Sequence, residues 1–386
     1  MRIALVTLQG VIASYGGSTK VFFDMANNLA ACGFAIAAIA SDSRKGSPAF
    51  QISDDVTFLN YPVSIIDRLV NLPLAKLIAA CIPNRHRRRV FRETQELKIK
   101  AKKIQNALDR ARPDVIISFQ QETTYLLLEI LHVKAPVITM IHRDPAEYFS
   151  KPEFSLYKES LNRCAYVQVL LPVFVKTAAK YINREKLVCI PNVVPQYNGS
   201  ADVDSQTIIN VSRIGEGKRQ HLLIDAFALI ANRHPNWKVE CWGFAQSMYA
   251  QELKKNIQHR KLQSRIKLCG ETPDVISKLK KASIFVFPSQ VEGFSLALTE
   301  AMSMGLAVIV CSDCPSAQAI VSDNNNGLIA ESNPEAMAKK LDMLITNREL
   351  RQRLGQQAKE SMKGYSASLV WKEWAKLINQ AYLVNK

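Results

Sequence analysis

Two doubly wound α/β domains are the architecture predicted for this chain of 386 residues, and three observations predict it. Short apolar strands alternate with amphipathic helical stretches from end to end, the pattern of parallel sheets covered by helices on both faces. The alternation breaks once, near residues 195–206, where Pro195, Gly199 and several polar residues show no periodicity. The length itself exceeds one ordinary hydrophobic core and suits two domains of roughly 150 to 200 residues.

In order along the chain, strands are expected at Ile3–Leu8, Ala35–Ser41, Val115–Phe119, Val137–Ile141, Val167–Leu171 and Leu187–Ile190, with helices between them that include Thr19–Ala31 and Glu93–Arg110. A second series follows at Thr207–Val211, Lys238–Trp242, Ile266–Cys269, Ile284–Phe287, Ala307–Val310 and Leu328–Ala330. The expected organisation is a first Rossmann-like domain over residues 1–194, a linker over 195–206, and a second Rossmann-like domain over 207–365. A C-terminal helix over 366–386, carrying Trp371 and Trp374, is expected to cross back to the first domain.

Composition narrows the function classes. With 48% hydrophobic and 22% charged residues, 15 Gly and 16 Pro, the chain is neither disordered nor fibrous in makeup. The longest apolar runs, such as Phe34–Ala40 and Leu306–Val310, fall short of the roughly 20 residues that span a bilayer, so no transmembrane helix is expected. The start lacks a small-residue cleavage site after its apolar stretch, which makes cytoplasm the expected compartment. Eight scattered cysteines read as buried thiols; Cys311 and Cys314 form a CxxC without a second ligand pair, so neither a metal nor a cofactor is expected.

Charge points to an acidic partner. The 50 Lys and Arg outnumber the 34 Asp and Glu, for a net charge of +16. Residues 1–195 hold 26 basic and 16 acidic side chains, and from Arg85 to Lys103 nine Lys or Arg meet two Glu. Arg85, Arg87, Arg88, Arg89 and Arg92 are dense enough to dock on an anionic membrane surface, with Leu69, Leu72, Leu74, Leu77 and Ile78 upstream as an apolar anchor. Nucleic acid is disfavoured as the partner, because the run has only Phe91 to offer a base.

Ligands of open α/β sheets sit beyond the carboxyl ends of the strands, so two such domains predict an interdomain cleft lined by the loops at strand ends. Arg213 follows the strand that ends at Val211, and Lys218 lies five residues on, before a helix from about Gln220. Gly215 and Gly217 are expected to let that loop fold tightly beside a ligand, and two cations with a helix N-terminus can cradle a phosphate. A second cluster runs from Phe287 through Pro288, Ser289, Glu292, Gly293, Phe294, Ser295 and Leu296 to Glu300 and Gly305. Glu292 and Glu300 are eight residues apart, about 12 Å if wholly helical. That exceeds the roughly 5 Å between the carboxylates of a retaining glycosidase and suits two groups gripping separate hydroxyls of one extended ligand.

On these residues the chain resembles the glycosyl-transferase group 1 signature of retaining glycosyltransferase family 4, which has the GT-B fold of two doubly wound Rossmann-like domains facing an interdomain cleft. The carriers are Val211 to Ile214 with Lys218, and Glu292 to Gly305 with its E-x7-E spacing. Gly16-Gly17, His142, Ile190-Pro191-Asn192 and Asn326-Gly327-Leu328 follow in the family's order. The resemblance implies that Gly16 and Gly17 lie against donor phosphates, and that Arg213, Lys218 and the backbone amides of Ser295 and Leu296 hold the diphosphate. It further implies that Glu292 binds the transferred sugar, Glu300 the ribose, and that His142 lies near the anomeric centre and the acceptor. Gly293 and Phe294 belong to the same donor-binding loop.

The chain departs from the family pattern where Arg219 and Val193 stand in place of glycines, Ala307 in place of a proline, and Gly243 alone remains of a Gly-x-Gly. Asp202 and Asp204 spell a DxD, but in the linker, where they read as turn residues rather than as a metal site. The implied activity is metal-independent, retaining transfer from a nucleoside diphosphate sugar to a lipid-linked or polysaccharide acceptor in cell-envelope glycan assembly. A UDP-sugar is favoured, with GDP-mannose as the other candidate donor. The alternatives are a nonhydrolysing sugar-nucleotide epimerase on the same scaffold and a basic nucleic-acid-binding protein. Peripheral attachment to the inner face of the cytoplasmic membrane is the expected location.

Overall fold

The computed structural model describes residues 1–14, 16–63, 77–151 and 154–384. Leu69, Leu72 and Leu74, expected to form part of an apolar anchor, lie outside the described residues. The chain divides into two compact units, Met1–Pro191 together with Val370–Lys386, and Asn192–Leu369.

The first unit carries a seven-stranded sheet in the order β3-β2-β1-β4-β5-β6-β7. Its strands are β1 (Arg2–Thr7), β2 (Ala35–Ala40), β3 (Val56–Asn60), β4 (Val115–Ser118), β5 (Val137–Ile141), β6 (Tyr166–Val169) and β7 (Leu187–Cys189). The second unit carries six, in the order β10-β9-β8-β11-β12-β13: β8 (Thr207–Val211), β9 (Lys238–Trp242), β10 (Ile266–Gly270), β11 (Ile284–Phe287), β12 (Ala307–Cys311) and β13 (Leu328–Ala330). The paired strands are parallel in both sheets. Central strands such as Ile284–Phe287 and Ala307–Cys311 are buried at every residue, which is why they read as continuous apolar runs.

In each sheet the direction of winding reverses once, between β1 and β4 and between β8 and β11. These switch points leave a crevice at the carboxyl ends of the two strands, because their connections leave in opposite directions. The loops after β8 and β11 are the two that hold the residues singled out in the second unit.

Two expectations need correction, the list of strands and the start of the basic helix. Strand β3 was absent from them: Val56–Asn60 is the edge strand of its sheet and only Val56 is buried, so it lacks the apolar run of the inner strands. The basic helix starts at Arg85 rather than Glu93 and runs to Ala111, with Asn84 Oδ1 accepting from Arg87 N at 3.1 Å as its cap. Its buried side chains begin at Leu97, so the first turns carry no apolar periodicity to announce them. The linker residues lie along the second unit: Val194 N donates to Tyr365 O at 2.9 Å, Ala201 N to Met304 O at 2.7 Å and Asp202 N to Lys280 O at 3.0 Å. Asp204 is held bidentately by Arg348 at 2.6 and 3.0 Å, so the DxD serves a turn and an ion pair. Trp371 and Trp374 are buried on the helix Ala367–Val384, and residues from Val370 on group with the first unit.

Candidate active-site residues in each unit

The loop after β8 is shaped by a chain of amides and hydroxyls. Asn210 Nδ2 donates to Val286 O at 2.9 Å, Ser212 Oγ to Asn210 Oδ1 at 3.0 Å, and Gln220 Nε2 to Ser212 Oγ at 2.8 Å. Gln220 is fully buried and also donates to Arg213 O at 3.1 Å. A buried side-chain network of this kind holds a loop in one shape because each member loses its partner if the loop moves. Gly243, at φ 148°, lets the neighbouring chain pass underneath: a Cβ there would stand 2.0 Å from Ser212 O. Gly215 and Gly217 need no such freedom, since a Cβ at either would meet nothing within 4 Å and Gly215 is extended at φ −170°. The expected tight fold therefore comes from Gln220 and Gly243, and the two loop glycines leave open space beside the backbone.

Three contacts tie this loop to the one after β11. Gln290 N donates to Gly217 O at 3.3 Å, Arg219 Nε to Pro288 O at 2.8 Å, and the Lys218 ammonium meets the Glu292 carboxylate at Oε1. Lys218 and Glu292 are 23% and 17% exposed at their side chains, so the pair is screened but reachable. Arg213 is exposed in the same loop, and among the described residues its side chain makes no ion pair. The segment after Glu292 anchors itself by Phe294, which packs edge-to-face on Tyr365 with ring centroids 5.6 Å apart. Phe294 is thereby a core contact of the loop, with Gly293 buried beside it.

The helix Leu296–Ser303 begins at this point. Ser295 is its N-cap, its Oγ accepting from Leu298 N at 3.3 Å, and the amides of Leu296 and Ala297 precede that bond at the positive end of the helix. Glu300 lies on the same helix and is only 8% exposed; burial, with the nearby Glu300 carboxylate adding to it, raises the Tyr197 pKa. Glu292 and Glu300 thus occupy separate surroundings, one beside a cation and one beside a phenol. Two cations, a carboxylate and a helix start carried on the loops at one switch point are group types that can bind a diphosphate and a neighbouring polyol.

In the first unit, Gly16 caps the helix Gly17–Ala31 with φ −76°, and a Cβ on it would meet nothing within 4 Å. The chain itself does not require glycine there. The loop leading to it is clamped by Asp42, whose Oδ2 accepts from Val11 N and Ile12 N at 2.7 Å each and from Arg44 Nη2 at 2.9 Å. Burial opposes the Asp42 charge, yet Arg44 and the backbone amides outweigh it and hold the pKa below the usual carboxylate value. Gln120, just after β4, accepts from Leu8 N at 3.2 Å and fixes the end of β1.

His142 follows β5 directly and stacks on Phe119 with centroids 5.4 Å apart. Its Nε2 is buried and has no hydrogen-bond partner among the described residues. Burial pushes its pKa down to about 4, so the imidazole is neutral at pH 7 and keeps an unspent ring nitrogen.

The five arginines divide. Arg88 spends its guanidinium on Ile82 O at 3.0 and 2.8 Å, and Arg89 pairs with Glu93 at 3.1 Å. Arg85, Arg87 and Arg92 are exposed, as are Leu77 and Ile78 upstream. Beside them lies a groove of about 750 Å³ whose walls include Ile82, Val90, Phe91 and Leu156 with Arg87 and Lys98. No helix among the described residues is long and apolar enough to cross a membrane.

Comparison with known proteins follows the same geography. Residues 198–361, the bulk of the second unit, match the family described as glycosyl transferases group 1. An uncharacterized glycosyltransferase of Haemophilus influenzae is 27% identical over 185 residues, 48% of this chain and 52% of that protein, so the chain spans about half of that relative's length. A Campylobacter jejuni α-1,4-N-acetyl-D-galactosaminyltransferase, whose name gives a diphospho-undecaprenol-linked saccharide as its acceptor, is 26% identical over 283 residues, 71% of this chain and 77% of that one. Among solved structures, a sucrose-phosphate synthase of Thermosynechococcus elongatus superposes with a TM-score of 0.82 at 15% identity over 99% of both chains. HepE of Anabaena, in complex with UDP and glucose, superposes with a TM-score of 0.76 at 17% identity over 98% of this chain and 99% of that one. The chain therefore has the GT-B fold, and residues 198–361 of its second unit match the glycosyl transferases group 1 family.

Proposed function

We propose that the protein is a retaining glycosyltransferase that moves a sugar from a nucleoside diphosphate donor to a lipid-linked or polysaccharide acceptor in cell-envelope glycan assembly. The observation that carries the reading is the meeting of Lys218 and Glu292 at the β8/β11 switch point, beside Arg213 and the start of the helix Leu296–Ser303. Arg213, Lys218 and the amides of Ser295 and Leu296 would hold the donor diphosphate, Glu292 the sugar hydroxyls and Glu300 the ribose. The likeness to a structure holding UDP and glucose supports a UDP-sugar, with GDP-mannose as the other candidate.

In the reaction, the bond between the anomeric carbon and the diphosphate oxygen breaks while the acceptor oxygen bonds to the same carbon from the same face. The acceptor proton passes to the departing diphosphate oxygen. Fixed cations and helix-start amides aimed at that oxygen stabilise the developing charge without reorganising, the role a metal ion plays elsewhere. Gly16 and Gly17 would admit donor phosphates to the first unit's backbone, and neutral His142 would accept or donate one hydrogen bond at the acceptor. The acceptor named for the Campylobacter jejuni relative supports a diphosphate-linked lipid, and exposed Arg85, Arg87 and Arg92 support attachment to an anionic membrane surface.

Thermal unfolding of the purified protein with a panel of UDP-, GDP- and ADP-sugars tests the reading. One nucleotide series should raise the midpoint, and Glu292→Ala should blunt the increment that comes from the sugar. Equal midpoints with every nucleotide would refute donor binding.

A further inference from the structure

Arg219 stands where the family resemblance leads one to expect glycine, and the backbone shows why glycine would suit: φ is 49° and ψ 41°, the left-handed region. An arginine held there needs compensation from its surroundings. It finds three acceptors on two other strand ends. Nη1 and Nη2 donate to the two oxygens of Asp313 at 2.7 Å each, and Nε donates to Pro288 O at 2.8 Å. Asp313 follows β12, and Pro288 follows β11. The guanidinium is well shielded, 13% exposed at the side chain, and its hydrogen bonds to Asp313 hold that carboxylate below the usual range.

We infer that Arg219 is a positioning residue that pins the loop after β8 to the ends of β11 and β12, and so sets where its neighbour Lys218 stands relative to Glu292. The planar guanidinium can satisfy a carboxylate and a carbonyl at once, which fixes orientation as well as distance; a lysine at this position could not. Adjacent residues share one backbone, so freeing Arg219 frees the Lys218 ammonium from its place opposite Glu292. The inference concerns how that pair is held, and it rests on the proposed donor role only for its effect on binding.

The test therefore has two readouts. Amide hydrogen exchange on the unliganded protein reads the clamp alone. Arg219→Gly, whose backbone fits φ 49° without strain, and Asp313→Asn should each speed exchange across residues 215–219 by about tenfold or more. The double variant should be no faster than the faster single one. Calorimetric titration with UDP, and separately with GDP, reads the consequence. Whichever nucleotide binds should bind about tenfold more weakly to Arg219→Gly and to Asp313→Asn, again without additivity, and Arg219→Lys should not restore it. Unchanged exchange in Arg219→Gly would overturn the clamp, as would full and independent additivity of the two substitutions. Faster exchange with unchanged nucleotide affinity would overturn the positioning role. If neither nucleotide binds the wild type, the donor reading fails and hydrogen exchange still decides the clamp.

Discussion

Replacing Lys218 by methionine separates what the Lys218–Glu292 pair does for the loop from what it does for a donor. The two side chains are 23% and 17% exposed, so removing the cation leaves a largely shielded carboxylate without its counter-charge. Stranding a polar group in this way costs about 1 to 3 kcal/mol of stability. For a bound donor, an ammonium about 4 Å from a phosphate charge contributes about 4 kcal/mol at an effective dielectric near 20, before desolvation. If at least about 2.7 kcal/mol of that is gained only as the diphosphate departs, transfer falls by about 100-fold or more. Adding Glu292→Gln removes the stranded charge, so the double variant should recover most of the lost stability while remaining inactive. Urea unfolding follows the first quantity, and release of nucleoside diphosphate in the presence of acceptor follows the second. Activity within a few-fold of wild type in Lys218→Met, or recovery of activity along with stability in the double variant, would refute the reasoning.

Three other outcomes are expected. Transfer should survive excess EDTA; loss with chelator and return with Mg²⁺ or Mn²⁺ would show that the cations of the second unit do not suffice for the leaving group. Co-sedimentation with anionic liposomes should weaken with salt and fall when Arg85, Arg87 and Arg92 become Ser, at about 1 kcal/mol for each engaged residue. Arg88→Ser should matter less, since that guanidinium is spent on Ile82 O, and equal binding to neutral and anionic vesicles would remove the membrane claim. Stability should drop as pH falls from about 6.5 toward 4, because over that window the unfolded chain protonates its histidine at position 142 and the native chain, with its pKa lowered to about 4, does not. This one group contributes up to about 1.4 kcal/mol per pH unit, so His142→Phe should lose less stability than wild type between pH 7 and pH 5. An identical loss in the variant would contradict the burial argument.

The inner strands were legible because burial on both faces leaves an unbroken apolar run, as at Ile284–Phe287. Lys218 and Glu292 could be picked out as candidate site residues because each lies on a loop after such a run, where an α/β sheet presents its loops. Their direct contact was not, since 74 residues separate them in sequence and only the β8/β11 adjacency brings them together. Half-exposed β3 and the first turns of the helix Arg85–Ala111 escaped because neither buries enough to impose a period. Gln220, Asp42 and Gln120 escaped for a different reason. Each is a single polar residue whose importance lies in the backbone amides or hydroxyls it meets, and nothing in its local sequence marks it. Arg219 left a signal, the loss of an expected glycine, but its partners Pro288 and Asp313 could be identified only from the folded chain.

The most direct test of the central claim is a transfer assay in EDTA with sugar nucleotides of each base and a diphosphate-linked lipid acceptor, the product's anomeric configuration being read by NMR. The account predicts that one donor is consumed in step with glycosylated lipid, that the anomeric configuration of the donor is retained, and that Arg213→Ala lowers the rate by about 100-fold or more. Inverted product, or conversion of a sugar nucleotide to its epimer without any acceptor, would contradict it.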